Sequence, residues 1–162
     1  MKAALSRATF NTRNQIGANK NVSLLLSSDQ AVVAERPMYF NYHGAWTGGH
    51  VVVGAKNSGT TWFFAEGTTR DNFNEWLCLQ NPGNADAQAT ITYYPASGPV
   101  VTKQWTVKAN SRLTVSANID VGANQDISAK VSSDKPIIVE SPMYFNFNSW
   151  TGGHDVVEFV PL

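Results

Sequence analysis

The amino-acid sequence predicts an all-β protein, organised as immunoglobulin-like β-sandwich units that derive from an internal repeat of about 105 residues. Three observations carry that expectation. Short runs alternate apolar and polar side chains at period two, clusters of Gly, Pro, Asn, Asp and Ser separate them, and no window of a dozen residues has the apolar spacing and caps of a helix. A closed barrel is the alternative that the same pattern permits.

Taken along the chain, Val22-Ser-Leu-Leu-Leu26 reads as a strand, Ser27-Ser-Asp-Gln30 as a turn, and Ala31 to Tyr42 as a long extended run. Trp62-Phe-Phe-Ala-Glu66 is the next strand. It turns over Gly67 to Asn72 and returns as Phe73 to Gln80. Asn81-Pro-Gly-Asn84 then forms a turn, because proline fixes one backbone angle and glycine supplies the next. Gln88 to Tyr94 sets Ala89, Ile91 and Tyr93 against Thr90, Thr92 and Tyr94, and Pro95-Ala-Ser-Gly-Pro99 closes that strand. Lys103 to Lys108 alternates as a strand wetted on one face must, and Ile127, Ala129 and Val131 oppose Ser128, Lys130 and Ser132 in the same way.

The repeat is visible by eye. Glu35-Arg-Pro-Met-Tyr-Phe-Asn-Tyr-His-Gly-Ala-Trp-Thr-Gly-Gly-His50 returns as Glu140-Ser-Pro-Met-Tyr-Phe-Asn-Phe-Asn-Ser-Trp-Thr-Gly-Gly-His154. An offset of 105 also pairs Ser6-Arg7 with Ser111-Arg112, Gly17-Ala-Asn19 with Gly122-Ala-Asn124, and Ser27-Ser-Asp29 with Ser132-Ser-Asp134. One deletion makes the offset 104 from Trp46 onward, against Trp150. Residues 55–107 have no second copy. The chain therefore reads as a half unit over 1–54, a B half, followed by a complete unit over 55–162 with its A half at 55–107 and its B half at 108–162. A window cut from an array of A-B units has this order.

Composition excludes some partners. Charged residues are 15% of the chain, against roughly 25% in an average soluble domain, and Lys plus Arg equals Asp plus Glu at 12 each. Such a balance gives no field to attract nucleic acid or an anionic membrane surface. No apolar run approaches the roughly 18 residues that span a bilayer, so no membrane insertion is expected. Met1-Lys-Ala-Ala-Leu-Ser lacks the apolar stretch of a signal peptide, and a secreted origin then implies a piece of a longer precursor. Cys78 is the lone cysteine; it excludes an intrachain disulfide and reads as a small buried hydrophobe.

Trp62-Phe-Phe-Ala-Glu-Gly67, Glu75-Trp-Leu-Cys-Leu-Gln-Asn-Pro-Gly83, Ala109-Asn-Ser-Arg112 and Glu35-Arg-Pro-Met-Tyr-Phe40 together resemble an uncharacterised family of tandem-repeat β-sandwich modules, immunoglobulin-like and adhesin-type, in large secreted or cell-surface bacterial proteins. The resemblance spans nearly the whole chain. It implies an extracellular or cell-surface setting and a β-rich fold, and it transfers no activity.

The best ligand candidate is the repeated aromatic-Asn run with its Trp-Thr-Gly-Gly-His loop: Asn41, Tyr42, Trp46 and His50 in the first copy, Asn146, Trp150 and His154 in the second. An exposed indole stacks on the apolar face of a sugar while Asn and His supply directed hydrogen bonds, and two copies make a bivalent surface. The competing reading buries these aromatics in the core and makes Gly48-Gly49 a hairpin turn. His43, His50 and His154 with Asp155 fall short of the three or four ligands of a zinc site, and no Asp-x-Asp-x-Asp-Gly loop offers calcium a place, so neither metal nor other cofactor is expected.

Two alternatives stand beside this one. A glycan-hydrolysing enzyme would pair Glu66 with Glu35 or Glu140 across a cleft, and Glu35, between Ala34 and Pro37, is expected to be partly buried with its carboxyl pushed upward. Against it, Glu35 and Glu140 occupy equivalent places in the repeat, as structural parts do. A strand-exchanging assembly subunit is the second alternative, because a B half without its A half leaves an open sheet edge for another molecule to fill, giving homo-oligomers. The sequence thus points to a non-catalytic extracellular structural or adhesion module whose partners are carbohydrate or neighbouring repeat modules.

Overall fold

The structure, a computed structural model, describes residues 5–157. The first residues of the stretch read above for a leader, 1–4, and the last of the second B half, 158–162, lie outside the described residues. Strands dominate: β1 (Glu35–Tyr42), β2 (Trp46–Val53), β3 (Gly59–Thr68), β4 (Phe73–Asn81), β5 (Ala87–Pro95), β6 (Val101–Val107), β7 (Ser111–Ser116), β8 (Asp126–Phe147) and β9 (Trp150–Val157), with two helical turns, α1 (Thr12–Ile16) and α2 (Ala117–Val121).

The main sheet is arranged around β8, which is 22 residues long. The first part of β8 lies antiparallel between β3 and β5, with Trp62 and Ile91 both opposite Val131. Its second part lies between β4 and β9, with Cys78 opposite Glu140 on one side and Asp155 opposite Pro142 on the other. β6 extends the sheet from β5, and β7 extends it from β4. A strand that changes neighbours midway curls the sheet, and the outcome is near-barrel in form, ordered β6-β5-β8-β4-β7 with β3 and β9 also paired to β8. The change falls around Pro136, which has no N–H to donate to a ladder and sits exposed.

Period-two alternation fills the interior. β4 buries Leu77 and Leu79, β5 buries Ala87, Ala89, Ile91 and Tyr93, and β8 buries Ile127, Ala129, Val131, Ile137 and Val139, all against Trp62 and Phe64 of β3. No described residue before Val52 is buried. The buried cluster is supplied by residues 62–139, with Ala55 and Val157 packed against it from outside that range.

Two helical turns were not expected. Each is five residues, too short for helical periodicity to be read. In α2 the Ser116 hydroxyl accepts from the Ile119 N–H at 3.4 Å, and the Tyr93 hydroxyl donates to Asp120 at 3.0 Å, which fastens the turn to the core.

The first half of the chain departs further from expectation. Val22–Leu26 and residues 31–34 form no strand, and β1 begins only at Glu35. A strand's N–H and C=O groups need a neighbour, and β3 and β5 already have theirs in β8. Leu24, Leu25 and Leu26 are left 59%, 76% and 63% exposed. The turn of the first hairpin also lies elsewhere than Gly48-Gly49, which falls inside β2. His43 and Gly44 turn the chain in left-handed conformation (φ 53° and 72°), as Asn148 and Ser149 do in the second copy (φ 48° and 68°).

Candidate functional site

Both copies of the repeated block fold into hairpins with the same register. Met38 faces His50 and Tyr42 faces Trp46; Met143 faces His154 and Phe147 faces Trp150. In each hairpin a phenylalanine lies over the glycine across from it, Phe40 on Gly48 and Phe145 on Gly152, where any Cβ would collide with the ring. The ring covers backbone that glycine leaves bare, which is how Gly-Gly comes to sit in a strand.

The hairpins stack front to back. Alternation puts Arg36, Phe40, Tyr42, Trp46 and His50 on one face of the first hairpin, and that face lies on the opposite face of the second, the one carrying Glu140, Tyr144, Gly153 and Asp155. The Tyr42 ring stacks on Tyr144 at 4.4 Å and 8°, and Phe40 meets Tyr144 edge-on at 4.9 Å. The Thr151 hydroxyl donates to the Thr47 carbonyl at 2.8 Å. Burial pushes the Tyr144 phenol up to about 12, with Cys78 and Asp155 adding to it.

One charged clasp ties the stack. Arg36 donates to Glu140 at 3.1 Å and to Asp155, whose side chain is 1% exposed. Burial raises both carboxyls, and the guanidinium pulls each back toward its anion. His50 has both ring nitrogens buried without a partner; burial lowers its pKa, and Arg36 and His154 lower it further against the opposing pull of Glu140. Tyr42, Trp46 and His50 are thus packing groups in the first copy. Asn41 is exposed on the other face, and Asn146 is half-buried with its N–H donated to the Asn72 carbonyl at 2.9 Å.

The second copy presents the same residues to solvent. Trp150 is 78% exposed and Phe147 56%, with His154 exposed two positions beyond Gly152 on the same face. Phe147 also walls a cleft of about 610 Å³ with Phe73, Tyr94, Glu66, Arg70 and Asp126. Phe73 stacks on Phe145 at 5.6 Å and lies 6.0 Å from Phe147, and Arg70 pairs with Asp126 across the rim at 2.5 Å. Phe73, Phe145 and Phe147 thus form an aromatic group beside a charged rim, and Trp150 lies across the strand pair from Phe147, outside the cleft.

The candidate carboxylates separate. Glu66 lines that cleft and is exposed; Glu140 is held by Arg36; Glu35 is exposed on the free face of the first hairpin, where partial burial was expected. Neither Glu35 nor Glu140 lines the cleft. A buried acid outside this set is Glu75 on β4. It accepts from the Thr68 N–H at 2.6 Å and the Ser141 hydroxyl at 3.3 Å, and burial pushes its carboxyl up to about 7. Gly67 leaves room for it, since a Cβ there would enter the carboxylate. Cys78 is half-buried, receives a hydrogen bond from Arg112 at 3.2 Å, and has its thiol raised by burial. Among the described residues no three or more His, Cys, Asp or Glu side chains are grouped so as to hold a metal ion, and no helix is long and apolar enough to cross a membrane.

No known family's sequence pattern matches the chain, and no curated protein does. Among solved structures it is similar to Thermotoga maritima protein 1070, with 15% identity over 64% of this chain and 96% of that one, at a TM-score of 0.60. It also matches the sensory rhodopsin transducer of Anabaena, with 27% identity over 54% of this chain and 99% of that one, at a TM-score of 0.48. The likeness to the Thermotoga protein is one of fold.

Proposed function

We propose that the chain is a non-catalytic structural and adhesion module of an extracellular repeat protein, that its strands form an immunoglobulin-like sandwich, and that the second hairpin carries a carbohydrate platform. One observation carries the platform. In the Trp-Thr-Gly-Gly-His block, Trp46 and His50 are half-buried in the first copy and Trp150 and His154 are open in the second, where Trp150 lies across the strand pair from Phe147 of a cleft edged by Glu66, Arg70 and Asp126. Flat rings beside charged hydrogen-bonding groups match the two kinds of surface a sugar ring offers. The site is single, because Tyr42, Trp46 and His50 spend their surfaces on Tyr144 and its neighbours.

A glycan array tests the reading. The parent chain and Trp46→Ala bind the same glycans, and Trp150→Ala loses them. A parent that binds no glycan overturns the platform, and cleavage of a bound glycan overturns the non-catalytic assignment.

A further inference from the structure

Residues 22–34 repeat the first part of β8 and its continuation, 127–139, and the two copies have opposite fates. Ala129, Val131 and Ile137 are 6%, 0% and 0% exposed, whereas their equivalents Leu24, Leu26 and Val32 are 59%, 63% and 58% exposed. Upstream, Phe10 is 75% exposed where its equivalent Val115 is 2%. The difference lies in the neighbours, since the second copy is enclosed by β3 and β5 and the first has neither.

The first copy nevertheless keeps the shape of the bound one. α1 occupies the place of α2, Gly17 (φ 87°) that of Gly122 (φ 83°), and Asn19 (φ 57°) that of Asn124 (φ 59°). In the second copy this loop is the latch to the A half. The Thr69 N–H donates to the Gln125 carbonyl at 2.8 Å, the Asn124 N–H to the Thr69 carbonyl at 2.9 Å, and the Thr69 hydroxyl to the Gly122 carbonyl at 2.7 Å. Left-handed asparagine without those bonds is a loop formed ahead of its partner.

We propose that residues 22–34 are a donor strand that completes the A-type half-sheet of another repeat, entering between its β3-like and β5-like strands while the Gly17–Asn19 loop receives the equivalent of Thr69. This rests on the repeat reading of the chain and is independent of the carbohydrate platform. The A half within this chain is not the occupant, because its slot is filled by β8 along the whole register from Ile127 to Ser132. Side-chain size narrows the partner further. Ala129 sits opposite both Phe64 and Tyr93, and its equivalent is the larger Leu24, so the partner has a smaller residue at one of those two positions.

The test fuses a second copy of residues 55–107 ahead of the full chain and follows amide exchange of residues 22–32. Exchange there slows by roughly 100-fold or more in the fusion carrying Leu24→Ala, which restores the fit beside Phe64 and Tyr93, and by less without it. Leu26→Asp abolishes the protection in the fusion and leaves the unfused chain as stable as before. Unchanged exchange in both fusions overturns the proposal. So does protection of residues 22–32 in the unfused chain that rises with concentration, since the occupant is then a second copy of the chain itself. Glycan binding by Trp150 is not read in this experiment, so either proposal can fail alone.

Discussion

At the residue scale, Glu75 makes the stability of the protein depend on pH. Burial lifts its folded value to about 7, above the ordinary glutamate value of 4.5, so the folded state holds the proton more tightly than the unfolded chain. The stabilisation is complete below the unfolded value and is lost as pH rises toward and through 7, by on the order of 3 kcal/mol. Glu75→Gln is expected to flatten this dependence, read as urea unfolding at about pH 5 and about pH 8; an unaltered difference between the two would contradict the assignment. Gly67→Ala forces a methyl against the same carboxylate and is expected to cost about 1–3 kcal/mol in the same assay. Glu75 was legible in the sequence, for it shares strand phase with Leu77 and Leu79 and is the one charge on that face. Arg36 and Asp155 were not. They differ from their repeat equivalents, Ser141 and Val51, and the two mismatched positions are the ones that meet across the stack. Arg36→Ala leaves Asp155 buried without its cation. The expected loss is about 3 kcal/mol, together with faster amide exchange over residues 35–53.

At the scale of elements, β5 and β6 follow the alternation because each has a wetter face and a core face, and periodicity reports that difference, whereas β4 is covered on both faces and reads as the apolar run Trp76-Leu-Cys-Leu79. Three elements did not follow. The length of β8 was hidden by Ser132-Ser-Asp134 and Pro136, which punctuate a sequence like a loop yet here mark only the change of neighbours. The hairpin turn was drawn to Gly48-Gly49, although these glycines serve the Phe40 ring. The run Val22–Leu26 has the pattern of a strand and lacks a partner, and the pattern alone cannot supply one. Residues 18–34 carry no strand and little burial, so limited proteolysis is expected to cut there first, leaving a product that retains β3 to β9. First cleavage inside β4–β8 would contradict the described core. Tyr144→Ala removes the ring that receives Phe40, Tyr42 and His50, and is expected to free the β1–β2 hairpin while the core stays protected from exchange.

At the scale of the molecule, a single strand serves both groups of neighbours, so neither group has a core of its own. Ile137, fully buried near the point where β8 changes partners, tests this. Ile137→Ala is expected to lower stability by about 2–5 kcal/mol and to shift probes on β5 and on β4 together, whereas separated transitions would show two units. The front-to-back hairpin stack has a different consequence. Unlike surfaces meet in it, so the body has a head and a tail: Trp150 and Phe147 stand free at one extremity, Tyr39 and Val51 at the other. A contact of that sort cannot be satisfied by a symmetric pair, and any further hairpin laid down by the same rule would lengthen a directional column.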